Sequence, residues 1–375
     1  MKRIIHETFA ICILLVSSAV VSAQRHWIQP IESPIVHPDR TVSFYFRAPD
    51  ATKVELNAQL LKAPQDLTRD TSGIWSITVG PVEPDIYPYC FIVDGVSVAD
   101  PNNASIFPNE GFKNSLVDIP GEKASNYAIQ DVPHGELTYC YYFSKAMNVT
   151  RPLVIYTPPG YKADMDKEYP VLFLLHGTTD TEETWTKVGR AHIILDNLIS
   201  QGKSTPMIVV MPYGRAYPLV NKLSGSIRDR DNLQLFSDDF LTNIYPYVQE
   251  NYRILKDKNA HAIAGFSGGG GQALYIGLSN PDKFAWVCGF APGMRKEEFD
   301  RNNAIVFANP EAANRNLKLF WIGCGKEDGL YGVVQEYITV LDEKKINHQT
   351  YISDGGHTWM NVRHYLTEVL QLLFK

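Results

Sequence analysis

Ser267 stands in Gly265-Phe266-Ser267-Gly268-Gly269, a G-x-S-x-G pentapeptide. Small apolar residues precede it (Ala262-Ile263-Ala264) and a helix-forming run follows it (Gln272 to Leu278). A serine hydroxyl is a weak nucleophile at neutral pH. It becomes useful where a sharp strand-to-helix turn holds its oxygen clear of the backbone and beside a general base. The glycines let strand and helix close on that turn. A Gly-rich turn can contain such a pentapeptide without any chemistry, so the reading needs partners. A nucleophile elbow predicts the chain order Ser, acid, His, with acid and His on loops at strand ends. After Ser267 the next acid at a strand end lies in Cys324-Gly325-Lys326-Glu327-Asp328-Gly329. Glu327 is the rival there; the glycine after Asp328 and the offset from the strand favour Asp328. His357 lies in Asp354-Gly355-Gly356-His357-Thr358-Trp359, between the last strand and the last helix, whereas His348 opens a strand and His364 falls inside that helix.

The set specifies acyl transfer. His357 takes the Ser267 proton and returns it to the leaving alcohol, and Asp328 fixes the imidazole tautomer. Two backbone amides must meet the oxyanion: Gly268, directly after the nucleophile, and Thr178, in the turn after Leu174-Leu175-His176-Gly177. Tyr213, Arg215, Tyr217, Tyr331 and Trp359 fall on loops at predicted strand ends. They are candidate contacts for an aromatic acyl group or a sugar, and equally suited to packing on their own domain. No H-E-x-x-H or paired carboxylate–histidine spacing is present, so neither a metal nor a cofactor is expected.

Two kinds of periodicity supply the elements that must position these residues. From Thr41 to about Gly95 short runs alternate apolar and polar residues (Val42, Phe44 and Phe46 against Thr41, Ser43 and Tyr45), with Pro, Asp, Asn and Gly between them. That is the pattern of an antiparallel sandwich. From about residue 124 apolar strand-like runs alternate with helical ones: Tyr169–His176, the helix Ala191–Gln201, Pro206–Met211, the helix Ser237–Asn251, Ala260–Ala264 and onward. This predicts a mostly parallel sheet covered on both faces, and with the elbow in its middle an α/β-hydrolase. The expected division is a signal peptide over 1–23, an all-β domain over 24–122 and a hydrolase domain over 123–375.

At 375 residues with 45% hydrophobic and 20% charged residues, the chain can build sizeable cores. The net charge of −6 argues against nucleic acid or an anionic membrane as partner. Lys2-Arg3, an apolar Phe9–Val21 and small Val21-Ser22-Ala23 read as a cleavable export signal, too short for a membrane span. Cys12 lacks the setting for lipid attachment. Cys90, Cys140, Cys288 and Cys324 form no C-x-x-C pair and read as small buried side chains rather than a disulfide framework. Asn103-Ala104-Ser105 and Asn148-Val149-Thr150 match the glycosylation sequon.

Arg47–Leu56, Gly73–Ser76 and Tyr87–Gly95 resemble the immunoglobulin-like E-set modules related to glycogen-branching-enzyme N-domains. The resemblance implies a carbohydrate-associated module, in which Trp27 or Tyr87 could stack on sugar. Leu174–Gly177, Val188–Arg190, Ile194–Ile199, Pro206–Pro212, the elbow and Gly355–His357 resemble the esterase-D-like hydrolases, and within them carbohydrate esterase family 1. This resemblance covers most of 124–375 and implies the triad Ser267, Asp328 and His357. It also implies release of ferulate or acetate from plant polysaccharide. Two departures stand out: Gly268 where relatives usually carry methionine, and Thr178-Thr179 in place of a glycine-rich turn. Rival readings are the same machinery on another ester or thioester, or an inactive glycan-binding relative. The intact triad argues against the last.

Overall fold

The computed structural model describes residues 30–217 and 230–375, and Glu32–Lys375 pack as one compact unit. The export signal, Cys12, Trp27 and much of the 213–235 loop lie outside the described residues.

The alternating segments form a two-sheet sandwich. Its strands are β1 (Ile35–Val36), β2 (Val42–Arg47), β3 (Val54–Ala58), β4 (Gln65–Asp66), β5 (Thr68–Arg69), β6 (Ile74–Val79), β7 (Ile86–Val93), β8 (Val96–Val98) and β9 (Ser115–Asp118). One sheet runs β1-β2-β6-β5 and the other β4-β3-β7-β8, with β9 also on β7; every pairing is antiparallel. Phe44, Phe46, Leu56, Tyr89 and Phe91 turn inward and share one core, as period two requires. Tyr87 is 5% exposed and donates its hydroxyl to Glu83 O, so it is core and offers no face to a sugar.

The second sheet comprises β10 (Glu136–Ser144), β11 (Val149–Thr157), β12 (Val171–Leu175), β13 (Ile208–Pro212), β14 (His261–Phe266), β15 (Trp286–Phe290), β16 (Leu319–Gly325) and β17 (Gln349–Ser353). The order is β10-β11-β13-β12-β14-β15-β16-β17, antiparallel at β10-β11 and β11-β13 and parallel from β13 to β17. Strands β12, β13, β14 and β15 are buried at every residue, which explains their unbroken apolar runs. The chain steps from β12 outward to β13, then back across to β14. The order therefore reverses beside β12, and the C-terminal ends of β12 and β14 flank the crevice where open α/β sheets bind ligands.

The helices depart from expectation in three places. The predicted Ser237–Asn251 helix starts earlier, at Arg230, and widens to a π-turn over Phe240–Ile244 before its last segment, Tyr245–Asn251. A four-residue helix, Thr184–Lys187, precedes the first expected one. Three short helices, Lys296–Asn302, Ala304–Ala308 and Pro310–Asn316, fill the β15–β16 connection. Among the described residues no helix is long and apolar enough to cross a membrane. The four described cysteines are free thiols; Cys140 is half-buried and the other three are buried.

Candidate active site

Strand β14 ends at Phe266, Ser267 takes φ 55° and ψ −120°, and the helix Gly268–Ser279 begins at once. That backbone is costly for a side-chain-bearing residue. It is held by Ser267 N donating to Phe290 O (2.9 Å) and by Gly271 and Gly293 amides donating to Ser267 O (3.0 and 2.7 Å). Consecutive glycines weaken a helix by about 1 kcal/mol each relative to alanine, but here they are required by contact. A Cβ on Gly265 would lie 2.2 Å from Gly269 O, and one on Gly269 would lie 2.3 Å from His176 O. The turn exists because strand and helix touch backbone to backbone.

His357 reaches the same point from the loop after β17. Its Nε2 lies 2.9 Å from Ser267 Oγ, and its Nδ1 lies 2.8 Å from Asp328 Oδ2. Asp328 follows β16, is buried, and accepts the Leu330 amide on its other oxygen at 2.8 Å. Glu327 is exposed and His348 meets the Ile346 carbonyl, so Asp328 and His357 are the residues that meet. The imidazole packs on Phe266 with ring centroids 4.6 Å apart, fixing its plane from the elbow itself. Burial, aided by Asp328, pushes the Cys324 thiol up to about 12, so it packs under the site as an inert thiol.

The other wall is the turn after β12. Gly177 O accepts from His176 Nδ1 (2.8 Å) and Asp180 N (3.1 Å). In a trans peptide the next N–H points opposite that carbonyl, so the Thr178 amide faces away from both donors. Thr178 and Gly268 both line a cleft of about 170 Å³ beside Ser267. The first N–H groups of the Gly268–Ser279 helix have no intrahelical acceptor and add a positive dipole end to this wall. His176 is fully buried and accepts the Gly214 amide on Nε2 at 2.8 Å; burial lowers its pKa to about 4, which keeps it neutral and structural. Burial raises Asp180 to about 7, opposed by hydrogen bonds from Asn109 and Gly177.

Of the five candidate substrate contacts, Arg215 lines the cleft; its Nη1 donates to Thr178 O at 2.9 Å. Tyr213 and Trp359 are corrected. Tyr213 is buried, gives its hydroxyl to Glu110 Oε1 at 2.7 Å, and is capped by the Arg151 guanidinium 5.3 Å from its ring. Trp359 is 6% exposed and packs edge-on against Trp185 and Phe266. Neither ring lines the cleft; each buries its apolar area within the protein instead. Tyr331 starts the helix Tyr331–Glu343 outside the cleft lining, and Tyr217 is exposed at the edge of the described chain. Sequence reasoning missed Met294, Arg295, Glu298, Arg301 and Asn302, which line the cleft at the end of β15. No sequence signal marks them: Arg295 opens the helix without the Ser, Thr, Asp or Asn of an N-cap, and Lys296–Asn302 is too short to show a period.

The Esterase family profile matches residues 144–372, which include Ser267, Asp328 and His357. A protein of Xylanibacter ruminicola named endo-1,4-beta-xylanase/feruloyl esterase is 28% identical over 351 residues, 92% of this chain and 46% of that protein. Endo-1,4-beta-xylanase Y of Acetivibrio thermocellus is 25% identical over 61% of this chain and 22% of its own length. The chain therefore spans less than half of each. Among solved structures, a ferulic acid esterase from Anaeromyces mucronatus in complex with ferulic acid superposes with a TM-score of 0.58 at 24% identity, covering 67% of this chain and 95% of that one. The enterobactin esterase of Shigella flexneri gives 0.64 at 19% identity, covering 89% of this chain and 94% of that one. These likenesses establish the α/β-hydrolase fold, and the second extends well beyond the hydrolase sheet alone. Because the profile takes in most of that sheet together with the elbow and both loops that meet at it, the chain belongs to the Esterase family.

Proposed function

We propose that the chain is a serine esterase of the carbohydrate esterase 1 type, releasing feruloyl or acetyl groups from plant cell-wall polysaccharide. The observation that carries the serine assignment is His357 bridging Ser267 Oγ and Asp328 Oδ2 at 2.9 and 2.8 Å. In that arrangement Ser267 Oγ attacks the ester carbonyl while its proton passes to His357 Nε2. The carbonyl oxygen becomes an oxyanion between the Gly268 and Thr178 amides. Its collapse breaks the ester C–O bond, and His357 returns the proton to the departing sugar hydroxyl. Water, deprotonated by the same imidazole, then cleaves the acyl–serine bond and releases the free acid.

The substrate assignment is supported by the names of the xylanase-linked relatives and by the solved ferulic acid esterase. We assign 24–122 as an immunoglobulin-like module and 123–375 as the esterase domain; the separate sandwich core supports the split. The apolar segment at 9–21 fits export to such a substrate. A second reading, an ester that carries aromatic groups but is not borne on polysaccharide, is favoured by the fold likeness to the enterobactin esterase and by the arginines in the cleft.

Wild type and Ser267→Ala, assayed on methyl ferulate, acetylated xylan, enterobactin and nitrophenyl acetate, test both. Ferulate or acetate release by wild type alone supports the main reading. Turnover of enterobactin in place of the plant esters supports the second, and equal rates for wild type and Ser267→Ala on every ester would remove the serine assignment.

A further inference from the structure

The turn Gly177–Asp180 belongs to the hydrolase sheet, yet much of what holds it comes from the sandwich. Between β8 and β9 the chain makes an excursion whose tip, Asn109–Glu110, lies against this turn as an isolated antiparallel bridge, Asn109 to Asp180. Glu110 N donates to Thr179 O at 2.7 Å. Asn109 Nδ2 donates to Asp180 Oδ1 at 2.8 Å and to Thr179 Oγ1 at 2.9 Å. The orientation of that amide is fixed, because Asn109 Oδ1 accepts from the Gly111 and Phe112 amides at 2.7 and 3.2 Å. Asp180 passes the constraint on, its Oδ2 accepting the Gly177 amide at 3.2 Å. Asn109 and Asp180 are each 4% exposed, so water offers neither a substitute partner.

The turn is gripped from its other side as well, and that grip leads to the same residues. Arg215 Nη1 holds Thr178 O at 2.9 Å. Arg215 Nε lies 3.7 Å from Glu110 Oε2, and Glu110 Oε1 accepts the Tyr213 hydroxyl. Thr184 Oγ1 adds a bond to Pro108 O at 2.7 Å. The peptide carrying the Thr178 amide is therefore set by a network whose hub is a two-residue tip of the sandwich.

We infer that Asn109 and Glu110 are positioning residues for ester hydrolysis: they hold the turn whose Thr178 amide receives the oxyanion, so that the sandwich completes the catalytic site. The inference rests on the serine-esterase reading. It gives the sandwich a role in the chemical step, separate from any contact with glycan. An oxyanion donor acts only in the transition state, so loosening it lowers kcat and leaves ground-state binding alone.

The test is Asn109→Ala in the full chain, with each preparation normalised by the nitrophenolate burst that counts reactive Ser267. On nitrophenyl acetate, kcat per titrated serine falls about 10–100-fold with KM unchanged, given that small displacements of a catalytic group cost up to about 10²-fold. Inhibition by phenylboronate, whose tetrahedral serine adduct needs the oxyanion donors, weakens by the same factor. Glu110→Gln, which keeps the backbone bond to Thr179 and loses charge toward Arg215, gives a smaller fall of the same kind. Wild-type kcat per titrated serine in Asn109→Ala, or a loss confined to the count of titratable serine, overturns the inference. A wild type that turns over no ester removes the esterase reading itself, and that is scored before any variant is compared.

Discussion

The two sides of the candidate site are built differently. On the acid–base side, Asp328 and His357 each sit on the loop directly after their own strand, β16 or β17. His357 reaches Ser267 through one hydrogen bond and Asp328 reaches His357 through another, and the Phe266 ring steadies the imidazole. On the oxyanion side, the turn after β12 is held by Asn109 and Glu110 from the connection between β8 and β9. The first side is a property of the hydrolase sheet; the second depends as well on the connection between β8 and β9. Function can therefore be lost on the second side without touching any residue of the triad.

Asp328→Asn measures the self-contained side and gives the largest effect. Loss of the acid leaves the imidazole in the wrong tautomer, and kcat falls about 10⁴-fold. Steady-state assays on nitrophenyl acetate read this directly, and a fall of less than tenfold would break the comparison by showing that His357 does not depend on Asp328.

Next in size is a cut at the other junction between the two parts. Arg363, on the helix Trp359–Leu372, is fully buried and ion-pairs with Asp85 of the sandwich, while its Nη1 donates to Val188 O at 2.8 Å. Arg363→Met strands the Asp85 carboxylate, and breaking such a pair costs about 3–5 kcal/mol of stability, to be read by urea unfolding. The pair touches neither Asp328, His357 nor the Gly177–Asp180 turn, so kcat per folded molecule stays at the wild-type level. A parallel fall in kcat would show that the acid–base side also leans on the sandwich.

The same contrast explains what could be read in advance. Ser267, Asp328 and His357 were legible because each is announced locally: a G-x-S-x-G between a strand and a helix, then an acid and a histidine in glycine loops that end strands. The parallel sheet was legible because apolar runs such as Val171–Leu175 admit no other burial. Asn109 and Asp180 are 71 positions apart, and each is an ordinary loop residue until the chain brings them together. Tyr213 and Trp359 were misassigned because residue type at a strand end does not reveal which way a ring turns. The helices from Lys296 to Asn316 were missed because segments of five to seven residues are too short to establish a period.

The oxyanion side also holds a buried carboxyl. Burial raises Asp180 from the ordinary 3.8 to about 7, against the hydrogen bonds from Asn109 and Gly177 and the charge of His357. A carboxyl whose folded pKa is raised contributes stability that is complete below the unfolded pKa and lost as pH rises through the folded one. Between pH 4 and 7 the wild type therefore loses stability, on the order of 4 kcal/mol at most, that Asp180→Asn does not. Urea unfolding of both proteins across that window gives the difference curve. It should fall with pH and level off above 7; a flat curve would show that Asp180 ionises as freely as an exposed acid.

The smallest effect tests how the two walls of the oxyanion site fit each other. A Cβ on Gly268 would stand 2.4 Å from Thr178 Oγ1, so the two positions compete for one space. Relatives by sequence resemblance put methionine after the nucleophile and glycine in the turn; here the bulk sits on the turn instead. Gly268→Ala by itself displaces the Thr178 side chain, and where that strain reaches the amide that faces the oxyanion kcat falls about 10-fold. Thr178→Gly frees the space, since a glycine keeps the backbone N–H and removes only the hydroxyl and methyl. The double variant Gly268→Ala/Thr178→Gly then recovers most of the loss, with a coupling of about 0.5–3 kcal/mol in a double-mutant cycle on kcat. Additive losses would mean that the turn yields without moving its amide, and the oxyanion side would then be less rigid than its network of hydrogen bonds implies.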